Sequence, residues 1–347
     1  MKLTRLTMAL AALALGASAA TAQVTSLPAA KLFPNENAEL VTLHLNKARE
    51  IAGDDLFLLY QQRCIIDQAF PIVDDDMQNA GLVLPTKAFE DLYFVGQNGV
   101  SAWLVKTNAG YVVFDALNNA DEAENILVDG MKKLGLNPAE LRFVVVTHEH
   151  RDHYGGAKYL QDTYGVQVVA SEVAWTSMER ATGTPVRNVT VADGQSWTVG
   201  GKTFQFFVTP GHTDGSLSTI IPVTDKGGKS HKAALYGGFG IPGNVTNKVK
   251  QIQSLQRFGV YTQAAGVDVI IGNHQVQDAS LAKMDLARHR RCDANTCIDP
   301  NPFVIEKTVA GAKSTSPEKF RVYSRFLQVQ EQCIRVNAAR NGQVLPL

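Results

Sequence analysis

Apolar residues recur with two different periods along this chain, and the alternation between them predicts its architecture. Residues 35–62 place Leu40, Leu43, Ala48 and Ile51 at helical spacing, which predicts an N-terminal helix. Residues 71–91, with the acidic run Asp74-Asp75-Asp76, read as a linker. Short β-branched runs at 92–96, 101–107 and 111–114 follow, separated by Gly- and Asn-containing turns. A helix is expected over 120–135. The segment 142–147 is apolar almost throughout, as for a strand covered on both faces. A helix at 154–162 and a strand at 166–170 complete the first group. A second group of strands is expected at 188–191, 196–199, 203–209, 216–223 and 232–236, then a helix at 247–265 and a strand at 267–271. The tail, 279–339, reads as helical apart from a loop around Cys292 and Pro302. Two sets of strands interleaved with helices in this order bury best as two sheets face to face with helices outside both, an α/β arrangement.

Composition adds little. Of 347 residues, 45% are hydrophobic and 19% charged, ordinary values for a globular chain. Lysine plus arginine equals aspartate plus glutamate at 33 each, with no basic stripe, so nucleic acid is not an expected partner. The first residues have the form of a secretory leader. Lys2 and Arg5 precede the apolar stretch 7–16, and Ala20-Thr21-Ala22 is a small-residue cleavage site. The mature chain is then expected to begin near Gln23, in a periplasm or outside the cell, with no stable membrane insertion. Removing Lys2 and Arg5 leaves 31 cations against 33 anions, a net charge of −2. Four cysteines suit an oxidising compartment and allow three pairings. Cys292 and Cys297 bracket a short polar loop and can close it locally, leaving Cys64 to pair with Cys333.

The chemistry lies in three short clusters, each just after an expected strand. The first is His148-Glu149-His150-Arg151-Asp152-His153, the second Gly211-His212-Thr213, and the third Gly272-Asn273-His274. Histidine nitrogen and carboxylate oxygen are zinc donors, and catalytic sites leave a position open. His148 and His150 alternate in an extended segment and reach one metal from one side, with His212 as the natural third ligand. Asp152 and His153 point differently and can bind a second metal with His274. His44, His231 and His289 stand alone and are expected to be packed or solvated side chains. Glu149 and Arg151 alternate with the ligands and are expected to point away, to solvent or a local ion pair. Thr213 and Ser216 are possible polar neighbours of the site. Gln97-Asn98-Gly99 reads equally as a mobile hairpin over the cleft or as a plain turn.

The H-x-H-x-D-H run and its partners resemble the metallo-β-lactamase superfamily over roughly residues 92–284. That resemblance implies a four-layer αββα sandwich, here with an N-terminal helical extension. Together with the leader and helices read above, the chain then divides into a leader (1–22), an extension and linker (23–90), the metallo-β-lactamase domain that the resemblance implies (91–290) and a C-terminal helical segment packed on it (291–347). It also makes Asp115 a group supporting the metal ligands. Many members carry a bridging aspartate, or a cysteine, in the loop after the strand ending near Tyr236. Here the loop reads Gly237-Gly238-Phe239-Gly240-Ile241-Pro242-Gly243. This is similar to the third lactamase subclass, whose second metal is held by Asp, His and His, although members of that subclass often carry serines there. The resemblance implies two zinc ions per chain, a small-molecule substrate and opening of a β-lactam ring by metal-activated water, with Asp152 as a ligand that also orients the water or as a ligand alone. The alternatives are a lactonase or esterase at the same site, an iron-dependent oxidoreductase, and a non-catalytic zinc-binding module.

Overall fold

A computed structural model describes residues 29–73, 81, 83–305 and 322–346. The expected leader at 1–22, the acidic run Asp74–Asp76 and the part of the C-terminal tail at 306–321 lie outside the described residues.

Two sheets form the centre. The first has seven strands in chain order: β1 (Thr86–Phe89), β2 (Leu92–Phe94), β3 (Trp103–Thr107), β4 (Gly110–Phe114), β5 (Leu141–Val145), β6 (Gln167–Ser171) and β7 (Val189–Val191). It is antiparallel from β1 to β4 and parallel from β4 to β7. The second sheet runs β12 (Val269–Ile271), β11 (Ser230–Leu235), β10 (Leu217–Thr224), β9 (Lys202–Val208) and β8 (Ser196–Val199), with only the β11–β12 pair parallel. β1 is a departure from the expected linker. Thr86 and Ala88 are buried while Lys87 is exposed, a strand too short and polar to stand out from its surroundings.

Alternation along the strands builds three cores, because successive side chains leave opposite faces. Phe94, Trp103, Val112 and Phe114 of the first sheet meet Phe204, Phe206, Leu217 and Ile221 of the second between the sheets. Their neighbours Tyr93, Leu104 and Val113 face the helices at 120–133 and Ala157–Tyr164 on one outside face. Phe207, Ile220 and Ala234 face the opposite outer layer, made of the helices Ala38–Ala52, 57–69, Val245–Ala265 and Val322–Arg340. The result is the αββα sandwich.

The N-terminal helices belong to that outer layer. The first starts at Ala38, capped by the Asn37 side chain accepting from the Leu40 amide at 3.1 Å, and stops at Gly53, whose φ of 58° suits glycine. Its inner face is Leu45, Ala48, Ile51 and Ala52; of the expected apolar face Ala48 and Ile51 pack, whereas Leu40 and Leu43 are exposed. Small residues at the inner positions allow close approach to Val322–Arg340. Arg325 strengthens that contact, donating to the carbonyls of Ile51 and Ala52 and to both oxygens of Asp55. The following segment, 57–69, contains a π-helical turn at Gln61–Ile66. Within it Cys64 is disulfide-bonded to Cys333, and Cys292 is bonded to Cys297, which is the expected pairing. Among the described residues no helix is long and apolar enough to cross a membrane.

The two crosslinks restrain very different loops, with separations of 269 and 5 residues. Loop-closure entropy gives an upper contribution of about 5–6 kcal/mol for the first and about 2 kcal/mol for the second. Replacing Cys64 and Cys333 together by serine is therefore expected to lower the thermal midpoint clearly more than the same change at Cys292 and Cys297, measured by calorimetry. An equal shift for the two pairs would contradict the tethering of the N-terminal helices described above.

Candidate metal centre

The three clusters meet at one rim of the sandwich, where several strand carboxyl ends converge. His148 and His150 follow β5, and Asp152 and His153 lie in the helical turn Arg151–Tyr154. His212 sits between β9 and β10, and His274 follows β12. Hydrogen bonds across the two sheets fix their relation. The Leu217 amide donates to the Thr147 carbonyl at 2.7 Å and the Ser101 amide to the Asn273 carbonyl at 2.9 Å. Trp103 Nε1 donates to the Gly272 carbonyl at 2.8 Å. Asn273 Nδ2 reaches both Thr147 Oγ1 and the Gly237 carbonyl, at 3.1 and 3.0 Å.

The six sequence-predicted donors fall into two groups, His148-His150-His212 and Asp152-His153-His274, each with its donor atoms within 4.8 Å of one another. The outward nitrogen of four rings shows which atom faces inward. His148 Nδ1 lies 2.8 Å from the Gly237 carbonyl, His212 Nδ1 3.0 Å from that of Gly240, and His274 Nδ1 2.6 Å from that of Gly99. A carbonyl only accepts, so Nδ1 carries the proton and Nε2 keeps its lone pair. His153 Nδ1 is likewise 2.7 Å from Asp115 Oδ2. His150 is reversed, its Nδ1 facing His212 Nε2 at 3.1 Å.

These donors fit divalent metal ions. His148 Nε2 and His153 Nε2 are buried without a hydrogen-bond partner among the described residues. His153 Nε2 is 3.0 Å from Asp152 Oδ2, but not in hydrogen-bond alignment. Buried polar atoms are rarely left this way, and a cation held in each donor group would satisfy its own nitrogen. The electrostatics agree. Burial, reinforced by neighbouring rings, holds His148 well below the usual imidazole range, and burial first lowers His212 to about 3 and His274 to about 4, so their lone pairs are free near neutrality. Burial works to raise Asp152, yet the adjoining imidazoles of His153 and His274 hold it well below the carboxylate range. Burial also opposes charge on His153, but Asp115 and Asp152 outweigh it and push the ring up to about 10. The two carboxylates that attract a proton there attract a metal cation equally, and binding replaces the proton.

Asp115 is fully buried and adopts φ 64°, a left-handed conformation uncommon outside glycine. That backbone turns its carboxylate onto three donors, the Thr147 amide and hydroxyl, each at 2.8 Å, and His153. Thr213 and Ser216 hold the His212 turn. Thr213 Oγ1 contacts Ser216 Oγ at 2.9 Å and donates to Glu149 Oε2 at 2.8 Å, and the Gly215 amide reaches Glu149 Oε1 at 3.2 Å. Glu149 is therefore half-buried and ties two ligand loops together, whereas Arg151 is exposed as expected. Gln97 is buried and donates to Glu122, and Gly99 orients His274, so this turn supports the site. His231 is packed on β11 against Asp268, His44 pairs with Gln332, and His289 is exposed, all outside the site.

Several contributors escaped the sequence reading. The carbonyls of Gly99, Gly237 and Gly240 are backbone groups with no residue-type signature. The loop after β11 must pass close to His212: a Cβ at Gly240 would lie 2.6 Å from the His212 ring, and one at Gly238 2.4 Å from Ser216 Oγ. Beside the donors opens a cavity of about 410 Å³. Its remaining walls come from Phe239, Ile241 and Gln277, and from Arg63, Asp67, Gln68 and Asn337 on the N- and C-terminal helices. The i,i+4 spacing of Arg63 and Asp67 was the available signal for those two sharing a face.

A family model described as metallo-beta-lactamase superfamily matches residues 95–225. Over those residues the chain is similar to the metallo-beta-lactamase superfamily, and its fold is that of the superfamily's αββα sandwich. Solved structures with the same fold include a subclass B3 metallo-beta-lactamase of Bradyrhizobium japonicum, 21% identical with a TM-score of 0.57, covering 73% of this chain and 93% of that one. The native metallo-beta-lactamase of Legionella gormanii is 16% identical with a TM-score of 0.57, covering 72% and 93%. Curated relatives include a hydroxyacylglutathione hydrolase of Brucella anthropi, 34% identical over 24% of this chain and 29% of its own length. An N-acyl homoserine lactonase of Rhizobium johnstonii is 26% identical over 42% of this chain and 63% of its own length. The chain thus spans less than two thirds of either relative.

Supporting groups of this kind typically govern metal affinity by about 10–100-fold. Asp115→Ala is expected to weaken the second zinc equivalent by that factor while the first, at the three-histidine group, binds nearly as in the parent. Zinc titration followed by calorimetry checks this; two unchanged equivalents would contradict the role given to Asp115.

Proposed function

We propose that this chain is an exported two-zinc hydrolase that opens cyclic acyl bonds, with β-lactams as its first substrate class. The observation that carries the reading is the donor set: three inward histidines beside an Asp-His-His group, with no carboxylate or cysteine in the loop 237–243. Its resemblance in type to the third lactamase subclass supports the β-lactam assignment, and the two disulfides are compatible with export.

When bound, zinc ions supply Lewis acidity toward a carbonyl oxygen and water that ionises near neutral pH. The residues of the chain do the rest. The Gly237 and Gly240 carbonyls and Asp115 keep the ring nitrogens aimed, so little reorganisation is needed during reaction. Asp152, ionised and half-buried, can accept a hydrogen bond from the attacking water at its carboxylate and orient it. Ile241 supplies an apolar wall on one side of the cavity.

A second reading, hydrolysis of a lactone, is favoured by the loop after β11. Phe239 turns into the outer core, stacking on Phe326 at 4.8 Å, and its neighbours are glycines, so residues 237–240 offer no hydroxyl to a substrate carboxylate.

Zinc-loaded protein is expected to hydrolyse members of a panel of penicillins, carbapenems and lactones, to lose that activity to a chelator, and to regain it with zinc. His148→Ala and Asp152→Ala should each lose metal and at least about a hundredfold in kcat/KM, more than the typical loss on changing a supporting group. The ratio of lactam to lactone kcat/KM separates the two readings. Absence of turnover across the whole panel by fully metallated protein would reject both.

A further inference from the structure

The cavity wall contributed by the helical extension carries charge that the chemistry at the metal centre does not use. Arg63 and Asp67 lie one helical turn apart in the segment 57–69, and the side chain of Arg63 is only 4% exposed. Its three nitrogens are all engaged. Nη1 is 2.8 Å from Asp67 Oδ2, Nη2 donates to the Phe239 carbonyl at 2.9 Å, and Nε donates to Gln330 Oε1 at 3.3 Å. The Asp67 side chain is 20% exposed and lines the cavity. An ionised carboxylate accepts several hydrogen bonds, so the contact with Arg63 leaves it able to accept another. Asn337, Gln68 and Gln277 line the same space and, among the described residues, no lysine does.

We infer that Asp67 is the specificity residue of this cavity, selecting substrates whose arm distal to the scissile bond ends in a hydrogen-bond donor, a hydroxyl or an ammonium, over those ending in a carboxylate. The inference rests on the hydrolase reading above. An electron-rich carbonyl belongs at the metal donors. The far end of a molecule filling the cavity meets a carboxylate whose cationic partner is buried behind it and already shared among three acceptors. A distal donor gains a charge-assisted hydrogen bond. A distal carboxylate meets like charge, and like-charge juxtaposition discriminates strongly between ligands. The Cys64–Cys333 disulfide, next to Arg63 in sequence, holds the segment to the C-terminal helix, and Gln68 fastens it further by donating to the Cys333 carbonyl at 2.9 Å. The pair is therefore part of a fixed wall.

The test uses a matched pair of lactones whose acyl arm ends in an ammonium in one and a carboxylate in the other, with full-length zinc-loaded protein. The parent is expected to prefer the ammonium member in kcat/KM, chiefly through KM. Asp67→Asn keeps the shape, removes the charge and leaves Arg63 uncompensated, so the preference ratio should fall at least about tenfold with zinc content unchanged. Asp67→Glu, which keeps the charge, should retain the preference. A folded, fully metallated Asp67→Asn protein with an unchanged ratio would overturn the inference. Where that variant fails to fold, the parent decides alone, because preference for the carboxylate member overturns the inference equally. Calorimetric binding of the ring-opened products keeps the two readings distinguishable. Lack of turnover rejects the hydrolase, whereas tighter binding of the carboxylate product rejects the role of Asp67.

Discussion

A buried imidazole serves as a metal ligand only if one nitrogen is bare and aimed inward, and the whole rim of this sandwich is arranged around that requirement. Three backbone carbonyls, from Gly99, Gly237 and Gly240, and one buried carboxylate, Asp115, each hold an Nδ1 proton and thereby leave an Nε2 lone pair facing the shared space. Those anchors come from both sheets. The site consequently depends on the inter-sheet register, which the aromatic core of Trp103, Phe114, Phe204 and Phe206 and the amide bonds of Leu217 and Ser101 maintain. Strain is accepted where it serves this end: Asp115 occupies a left-handed backbone conformation, and its carboxylate reaches three donors.

The helical extension is coupled to the same centre. Arg63 of the N-terminal segment and Gln330 of the C-terminal helix both donate to the Phe239 carbonyl, at 2.9 and 2.7 Å. Phe239 lies between Gly238 and Gly240, the residues packed against His212. Outer helices, loop and ligand therefore form one hydrogen-bonded chain. Gln251 closes it from the long helix Val245–Ala265, donating to the carbonyls of Gly238 and Gly240 at 2.9 and 3.0 Å. A change in the outer layer has a short physical route to the position of a metal donor.

The donor residues were legible because metal chemistry restricts residue type, and His148, His150, Asp152 and His153 fall within six positions. The two-sheet architecture was legible because strands buried on both faces, such as 142–147, read as apolar runs. The face of the first helix was not. Ala48 and Ile51 of the expected face do pack, but Leu40 and Leu43 are exposed while Leu45 and Ala52 pack in their place, so hydrophobicity alone ranks part of the face in the wrong order. Glu149 stands outside both donor groups, as alternation with His148 and His150 predicts, but its partners are the Thr213 hydroxyl and the Gly215 amide of a loop distant in sequence, which no local pattern shows. The anchoring carbonyls were invisible in principle, since every residue carries one. Arg63 and Asp67 reach the cavity only through a long-range packing arrangement that no local pattern encodes.

The glycine loop and the Arg63–Asp67 pair answer one another. A Cβ at residue 237 would lie 2.2 Å from the Leu217 carbonyl oxygen, and those at 238 and 240 would strike Ser216 and His212. A serine cannot be placed at any of these three positions without moving a ligand or a strand. The one side chain this stretch does carry, Phe239, is directed into the outer core against Tyr236 and Phe326. Polar side chains for substrate recognition are thereby excluded from residues 237, 238 and 240 on steric grounds. The cavity's other polar side chains, apart from the metal donors, are Gln277 and, on the terminal helices, Arg63, Asp67, Gln68 and Asn337. Of these helical residues only Asp67 combines a formal charge with exposure to the cavity, because Arg63 is buried against its acceptors. On the proposed function, discrimination by charge, beyond what bound metal would impose, falls to a residue outside the strands and loops that build the candidate metal centre. Under that proposal, the geometry that would hold the metals and the geometry that would select substrate are carried by different parts of the chain, and one can change while the other is held.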